Sequence, residues 1–465
     1  MHKMRRKMAF ASADIFGGGS FNIINFLYPG FLALTVGLNP YWIGVIMLVS
    51  RVWDAITDPI MGHLSDKTSS RFGKRRVYLI FASPLILLSF FLLFFPYQFS
   101  SLSLRIMLVL LSYLLFTSIQ TTVMIPYYAL SSEISDDYQE RASYNSVRLG
   151  FSIFSSIICV ALPGIIVNAF DEVIGYQVMS LVFGLIFSVS VLLTGLYTKP
   201  KIESKVVDTK LSFKDMAMPL KLKPFRQYLG MFLVLQMAMA IMSGLFFFYV
   251  DFYIAKSITL SGQSNMIATI AAALMFSMQI VALPVYLKMI EKKGKTFAYR
   301  FGAVLWIIMG FSLLFVKMDV NPVVIYVVAA IMGFGISGPG LVPHTMYGDV
   351  IDAGELLFNQ RLDGKMSGFT NFINKIAQAL GLAFTMFIIG SAGFKEQVIG
   401  EAPITSQPAS ALEAIKWMMV LAPFVLMSIG IAISYRYKIN KTQHEAIKNA
   451  LLNQDLREDV LESIK

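Results

Sequence analysis

One cysteine and four histidines in 465 residues leave little material for redox or metal chemistry. With Cys159 alone, an intramolecular disulfide and a cysteine-based metal centre are both excluded. No glycine-rich nucleotide loop, zinc-ligand spacing or Ser/His/Asp arrangement is present, so the expectation is a non-enzyme without a cofactor. Charge is scarce as well. Charged residues make up 14% of the chain, where a soluble domain carries about 25%. Hydrophobic residues make up 56%, and mean hydropathy is +0.66.

What is present is long apolar blocks, such as 151–167, 180–197 and 420–434. Each approaches the roughly 20 residues that cross a bilayer. Twelve spans are predicted, near 9–36, 41–64, 77–96, 104–132, 145–169, 175–197, 227–250, 263–290, 297–316, 321–348, 366–391 and 412–436. The fold class is therefore an all-α membrane protein. Spans 4 and 10 are long and contain Pro126 and Pro343, which predicts tilt or a kink. Lys3, Arg5, Arg6 and Lys7 ahead of the first apolar run resemble a signal-peptide start. That run reaches Val36 without a small-residue cleavage site, which predicts an uncleaved first span.

The net charge of +11 does not point to nucleic acid, because the basic residues sit in short gaps between apolar blocks. Lys67, Arg71, Lys74, Arg75 and Arg76 follow span 2; eight Lys and Arg residues from Lys199 to Arg226 follow span 6; Lys288, Lys292, Lys293, Lys295 and Arg300 surround the gap after span 8. The alternate gaps are nearly free of them, which predicts that both termini lie in the cytoplasm of a cell membrane. The basic segment 198–226 divides an N-terminal half, 1–197, from a C-terminal half, 227–437, with a tail at 438–465. A basic turn after span 2 recurs after span 8, and a proline followed by acids ends spans 4 and 10 (Pro126 to Glu133, Pro343 to Asp349). The offset, about 220 residues, suggests two halves related by an axis normal to the membrane. In the tail, Ile447, Leu451, Val460 and Ile464 have near-helical spacing, which fits either a surface helix or a solvated tail.

Span 2 carries the chemistry. Asp54 and Asp58 are spaced i, i+4, so both carboxylates project from one helix face. A charge near the centre of a span costs about 2.5–3.5 kcal/mol. Two like charges side by side repel, which favours either a bound cation or a shared proton. An ion pair with Arg51 or a distant lysine is the structural alternative. Asp14 in span 1, Arg148 in span 5, Lys375 in span 11 and His344 in span 10 are further polar groups at or near membrane depth. Lys375 has apolar neighbours and needs a carboxylate, for which Asp54 or Asp58 is the candidate. Asp66, Arg71, Arg141, Asp349, Asp352, Glu355 and Arg361 sit near span ends and are predicted to close the cytoplasmic side as a gate.

The run from Arg51 to Gly62, followed by Arg71-Phe-Gly-Lys-Arg75, resembles the glycoside–pentoside–hexuronide:cation symporters, the melibiose-permease-like branch of the major facilitator superfamily. The likeness extends through Ile125 to Leu130, Glu140-Arg141 with Arg148, Asp349 to Asp352 with Glu355, and Asn374-Lys375. It implies two pseudo-symmetric six-helix halves, a monomer in a bacterial inner membrane, and import of a small-molecule sugar or glycoside with Na⁺ or H⁺ as coupling ion. It also implies Asp54, Asp58 and Thr121 as cation ligands and Lys375 between cation and sugar sites. Thr57 stands where the melibiose permease has Asn, so the choice of cation is open. Gly18 and Met124 stand where it grips galactoside with Asp, while Tyr128 and Gly340 occupy its aromatic positions; Asp14, one turn before Gly18, is a possible substitute. A superfamily relative carries lysophospholipid with sodium, which keeps an amphiphile as the alternative cargo.

Overall fold

The computed structural model describes residues 2–135, 138–198, 200, 218–254, 264–315, 321–360, 362–398, 401, 404, 406–453 and 456–464. Every regular element among them is helical: α1 (His2–Ala11), α2 (Asp14–Gly30), α3 (Pro40–Lys67), α4 (Arg76–Leu93), α5 (Leu102–Glu133), α6 (Tyr138–Asn168), α7 (Glu172–Tyr197), α8 (Lys223–Phe248), α9 (Ser264–Lys293), α10 (Lys295–Ser312), α11 (Pro322–Phe358), α12 (Asp363–Ser391), α13 (Ala409–Arg436), α14 (Lys441–Leu452) and α15 (Arg457–Ile464). Helices α2 to α13 fall on the twelve expected spans in order. Ten of them, α4 to α13, are long and apolar enough to cross a bilayer on composition alone. In α3 the buried charges dilute the hydropathy, and the α-helical part of α2 is only 17 residues long.

Three departures from the apolar pattern have local causes. The first predicted span is broken at Ser12–Ala13, where Ser12 Oγ donates to Ala9 O and Ser190 O and Ala13 N–H donates to Thr194 Oγ1. Both α2 and α8 end in a π-helical turn, Phe31–Thr35 and Tyr249–Ile254, a feature often found at functional sites. Helix α11 runs ten residues beyond the predicted end, because a helix does not stop where hydropathy does. Asn359 ends it in the left-handed conformation (φ 57°), its N–H returning to Glu355 O. At 37 residues α11 is about 55 Å long, well over the ~30 Å hydrocarbon core.

The chain packs as two compact units. The first comprises Met1–Asp208, Phe246–Ile270 and Met386–Leu412; the second comprises Thr209–Leu245, Ala271–Thr385 and Glu413–Lys465. Inside the first, Phe90 of α4 is fully buried, with ring centroids 5.3 Å from Phe94 and 5.4 Å from Phe187 of α7. Phe31 meets Phe94 at 5.4 Å and Tyr176 at 4.7 Å. Inside the second, α10 and α11 cross on glycine. A Cβ on Gly302 would lie 2.6 Å from Gly335 O, so only small residues permit this approach.

The tail is a docked element. Asn440 caps α14 by accepting from Gln443 N–H (2.9 Å), and Ile447 and Ala450 are buried. Arg457 of α15 donates to Leu356 O at 2.6 Å and also bonds Asn359, fastening the tail to the end of α11.

Candidate functional site

Helix α3 carries Arg51, Asp54 and Asp58 on one face. Asp54 is 2% exposed and Arg51 is 6% exposed. Arg51 Nη1 lies 3.4 Å from Asp54 Oδ2, and its guanidinium stacks 4.4 Å from the Phe21 ring centroid. Asp58 is directed at α5, where Thr121 Oγ1 donates to its Oδ1 at 2.9 Å. Trp53 Nε1 donates to Ser118 Oγ, also on α5, at 2.8 Å. These two bonds, about one turn apart on each helix, hold α3 and α5 in register around the carboxylates. Thr57 Oγ1 sits 3.5 Å from Asp54 O, a weak bond within its own helix. Of the two carboxylates on this face of α3, Asp54 thus meets the Arg51 guanidinium and Asp58 holds the Thr121 hydroxyl.

A second cluster belongs to the same unit. Asp14 of α2 is buried, with Oδ2 3.7 Å from Arg148 Nε of α6. The Arg148 guanidinium lies 5.4 Å over the Tyr128 ring of α5. Thr121, Met124 and Tyr128 are spaced i, i+3, i+7, so one face of α5 joins the Asp58 contact to this cluster. Met124 is buried against Gly17, where an added Cβ would collide with its thioether methyl. Gly18 is at a helix crossing: a Cβ there would lie 3.0 Å from the Ser152 backbone of α6, and Ser156 Oγ donates to Gly18 O at 3.2 Å. In the second unit, His344 of α11 meets Phe232 of α8 edge-on at 6.2 Å. Lys375 of α12 is half-buried beside Asn374, which accepts from Gln378 Nε2 at 3.0 Å and from Gln236. Gly340, on α11, has open space where a Cβ would stand.

The charged residues at the helix ends pair within each unit. Arg75 Nε donates to Glu133 Oε1 at 2.7 Å, and Arg75 Nη2 donates to Asp66 Oδ1 at 2.9 Å. Lys295 Nζ donates to Asp349 Oδ2 at 2.5 Å and to Thr345 O at 2.8 Å. His444 of α14 joins this second group, 3.5 Å from Asp349 and 3.0 Å from Asp352. Arg71 lies 4.8 Å over the Phe72 ring, and the Glu355 carbonyl caps α11. Arg361 and the Arg141 side chain are outside the described residues. Three basic partners here, Arg75, Lys295 and His444, are not among the expected gate residues. In the sequence Arg75 and Lys295 read as topology signals, yet each opens the third helix of its set of six and pairs with an acid late in the fourth. The offsets of 220 residues between the bases and 216 between the acids carry that signal in the sequence. For His444 there is no local signal, since only the docking of α14 brings it to α11.

Solved structures share this fold at low sequence identity. A bacterial homologue of the iron transporter ferroportin aligns with a TM-score of 0.66 at 12% identity, covering 93% of this chain and 99% of its own. The nucleoside transporter NupG aligns with a TM-score of 0.60 at 14% identity, covering 92% and 98%. The fold is that of a major facilitator membrane transporter. Residues 9–441 match the model of the MFS/sugar transport protein family, and the chain belongs to that family. Among its relatives are the sodium-dependent lysophosphatidylcholine symporter 1 of Xenopus tropicalis, 25% identical over 98% of this chain and 94% of the relative, and the putative glycoside/cation symporter YagG of Escherichia coli, 26% identical over 97% and 95%.

Proposed function

We propose that this transporter is a secondary active symporter that imports a sugar or glycoside together with Na⁺ or H⁺ by alternating access. The observation that carries the reading is the Asp58 carboxylate held by Thr121 beside the buried Asp54. Carboxylate and hydroxyl oxygens in a span suit a hard monovalent cation, and an adjacent acid pair equally suits a proton. Such groups are expensive at membrane depth and mark ion pathways. Relatives named as cation and sodium-dependent symporters support the same coupling. The cation ligands are Asp54, Asp58 and Thr121, with Thr57 alongside. The candidate cargo contacts are Asp14, Met124, Tyr128 and Arg148 in the first unit and His344 and Lys375 in the second. Gly18 serves as a packing position that lets α2 approach α6.

The helix-end pairs on Asp66, Glu133, Asp349 and Asp352 are the candidate cytoplasmic gate, and the basic loops favour cytoplasmic termini. Coupling requires only that each ligand favour the state that binds the other. A second reading, an amphiphile such as a lysolipid, is favoured by Met124 standing where the symporters that resemble this chain grip sugar with a carboxylate. It is also favoured by the relatives named for lysophosphatidylcholine. Uptake into proteoliposomes, with and without a Na⁺ or H⁺ gradient, separates the readings. Saturable, gradient-dependent uptake of a labelled glycoside supports the first. Uptake of lysolipid alone supports the second, and gradient stimulation that survives in both Asp54→Asn and Asp58→Asn sinks the cation assignment.

A further inference from the structure

On the first unit, α1, α6, α7 and the start of α2 line an open apolar groove of about 580 Å³ that no candidate transport residue uses. Its walls include Met8, Ala9, Phe151, Ile186, Val189 and Tyr197. The few polar groups within reach are already satisfied: Ser12 Oγ bonds Ala9 O and Ser190 O, and Thr194 Oγ1 bonds Ala9 O at 2.8 Å. An occupant must therefore be hydrocarbon. The lining runs along α7 from Leu185 to Tyr197, about 18 Å at 1.5 Å per residue, close to the ~15 Å hydrocarbon depth of one leaflet. Its volume lies within the ~300–1,000 Å³ usual for small-molecule sites.

One end is strongly basic. Arg5, Met8, Ala9 and Ser12 are spaced i, i+3, i+4, i+7, so Arg5 stands on the face of α1 that lines the groove, one turn outside it. Arg5 and its neighbour Arg6 are exposed, whereas Lys7 turns away to Ser143 Oγ at 2.6 Å. At the same end, Arg76 is anchored beside Tyr197 by the Gly195 and Leu196 carbonyls, both at 2.8 Å. Basic side chains at the membrane boundary of an interhelical groove favour anionic headgroups.

We propose that this groove seats one acyl chain of an anionic phospholipid from the leaflet on the N-terminal side, with the lipid phosphate held by Arg5 and Arg6. The site is separate from the transport pathway and stands whichever cargo is carried. The test uses the full chain in a neutral detergent, supplemented with phosphatidylglycerol or with phosphatidylcholine of the same acyl chains. Thermal stability and the bound lipid detected by native mass spectrometry are the readouts. Phosphatidylglycerol is expected to bind preferentially, by about fivefold for each arginine engaged. Arg5→Gln with Arg6→Gln removes that preference and leaves the lipid-free melting temperature unchanged. Val189→Trp, or Leu193→Trp should the first fail to fold, fills the groove from an exposed wall and removes stabilisation by either lipid. Equal binding of the two lipids by the wild type overturns the proposal. A preference that persists in the double arginine variant, stabilisation that persists in both tryptophan variants, or a lipid-free dimer formed on this face overturns it equally.

Discussion

At the scale of single residues, Asp58 and Gly18 are instructive because spacing singles out the first and alignment the second. The i, i+4 relation of Asp54 and Asp58 makes a polar site in α3 legible, since no other arrangement of that helix separates the two carboxylates. The hydroxyl on Asp58 is expected only by likeness to a family, and Thr121 does reach it at 2.9 Å. Hydrogen bonds to a charged group contribute about 1.5–3 kcal/mol. Thr121→Val is therefore expected to weaken cation affinity by roughly tenfold, read as the cation concentration giving half-maximal uptake. An unchanged value would remove Thr121 from the site. Gly18, by contrast, occupies an aligned position whose partner carries a sugar-binding carboxylate, but alignment is blind to the distance between α2 and α6. An alanine methyl at this position would meet the Ser152 backbone at 3.0 Å. Gly18→Ala therefore overpacks the crossing and is expected to cost about 1–3 kcal/mol. Thermal denaturation checks this, and an unchanged melting temperature would show that the crossing has room.

Among the helices, the helix-end pairs have consequences that the apolar pattern could not convey. Arg75 and Glu133 are both nearly buried, at 8% and 5% side-chain exposure, whereas Lys295 is 25% exposed. Removing one partner of a buried pair leaves an uncompensated charge and costs about 3–5 kcal/mol; partial exposure allows water to replace part of the interaction. Arg75→Gln is thus expected to lower the melting temperature more than Lys295→Gln. Equal effects would mean that burial does not rank the pairs. Hydropathy locates α4 to α13 most plainly, because each is long and apolar enough to cross a bilayer. It misses the last ten residues of α11 and the docking of α14 because charged residues, among them Asp349, Asp352 and Glu355 in the first and Lys441, Glu445 and Lys448 in the second, lower the hydropathy of both. There, capping by Asn359 and contacts by His444 and Arg457 decide the structure. His444→Ala is expected to increase hydrogen exchange in α14, while exchange in α4 and α7 stays as it was. If α14 remains equally protected, Ile447 and Ala450 hold the tail without the histidine.

For the molecule as a whole, twelve spans and their order are readable because the bilayer sets a minimum length and a mostly apolar character for every helix that crosses it. The cargo is not, because it depends on a few side chains whose neighbours come from other helices, as Asp14, Tyr128 and Arg148 do. Symport, however, makes a demand that needs no knowledge of the contacts. If the cation raises cargo affinity by some factor, the cargo must raise cation affinity by the same factor, typically about 5–150-fold. Titrating cargo with and without Na⁺, or across pH for a proton, and then titrating the cation with and without cargo gives two independent values that must agree in the wild type. In Asp58→Asn, both factors are expected to fall to about one while the folded protein retains cargo binding in the absence of cation. Loss of cargo binding together with coupling would instead make Asp58 part of the cargo site. A coupling factor that survives the substitution would move the cation away from α3 altogether.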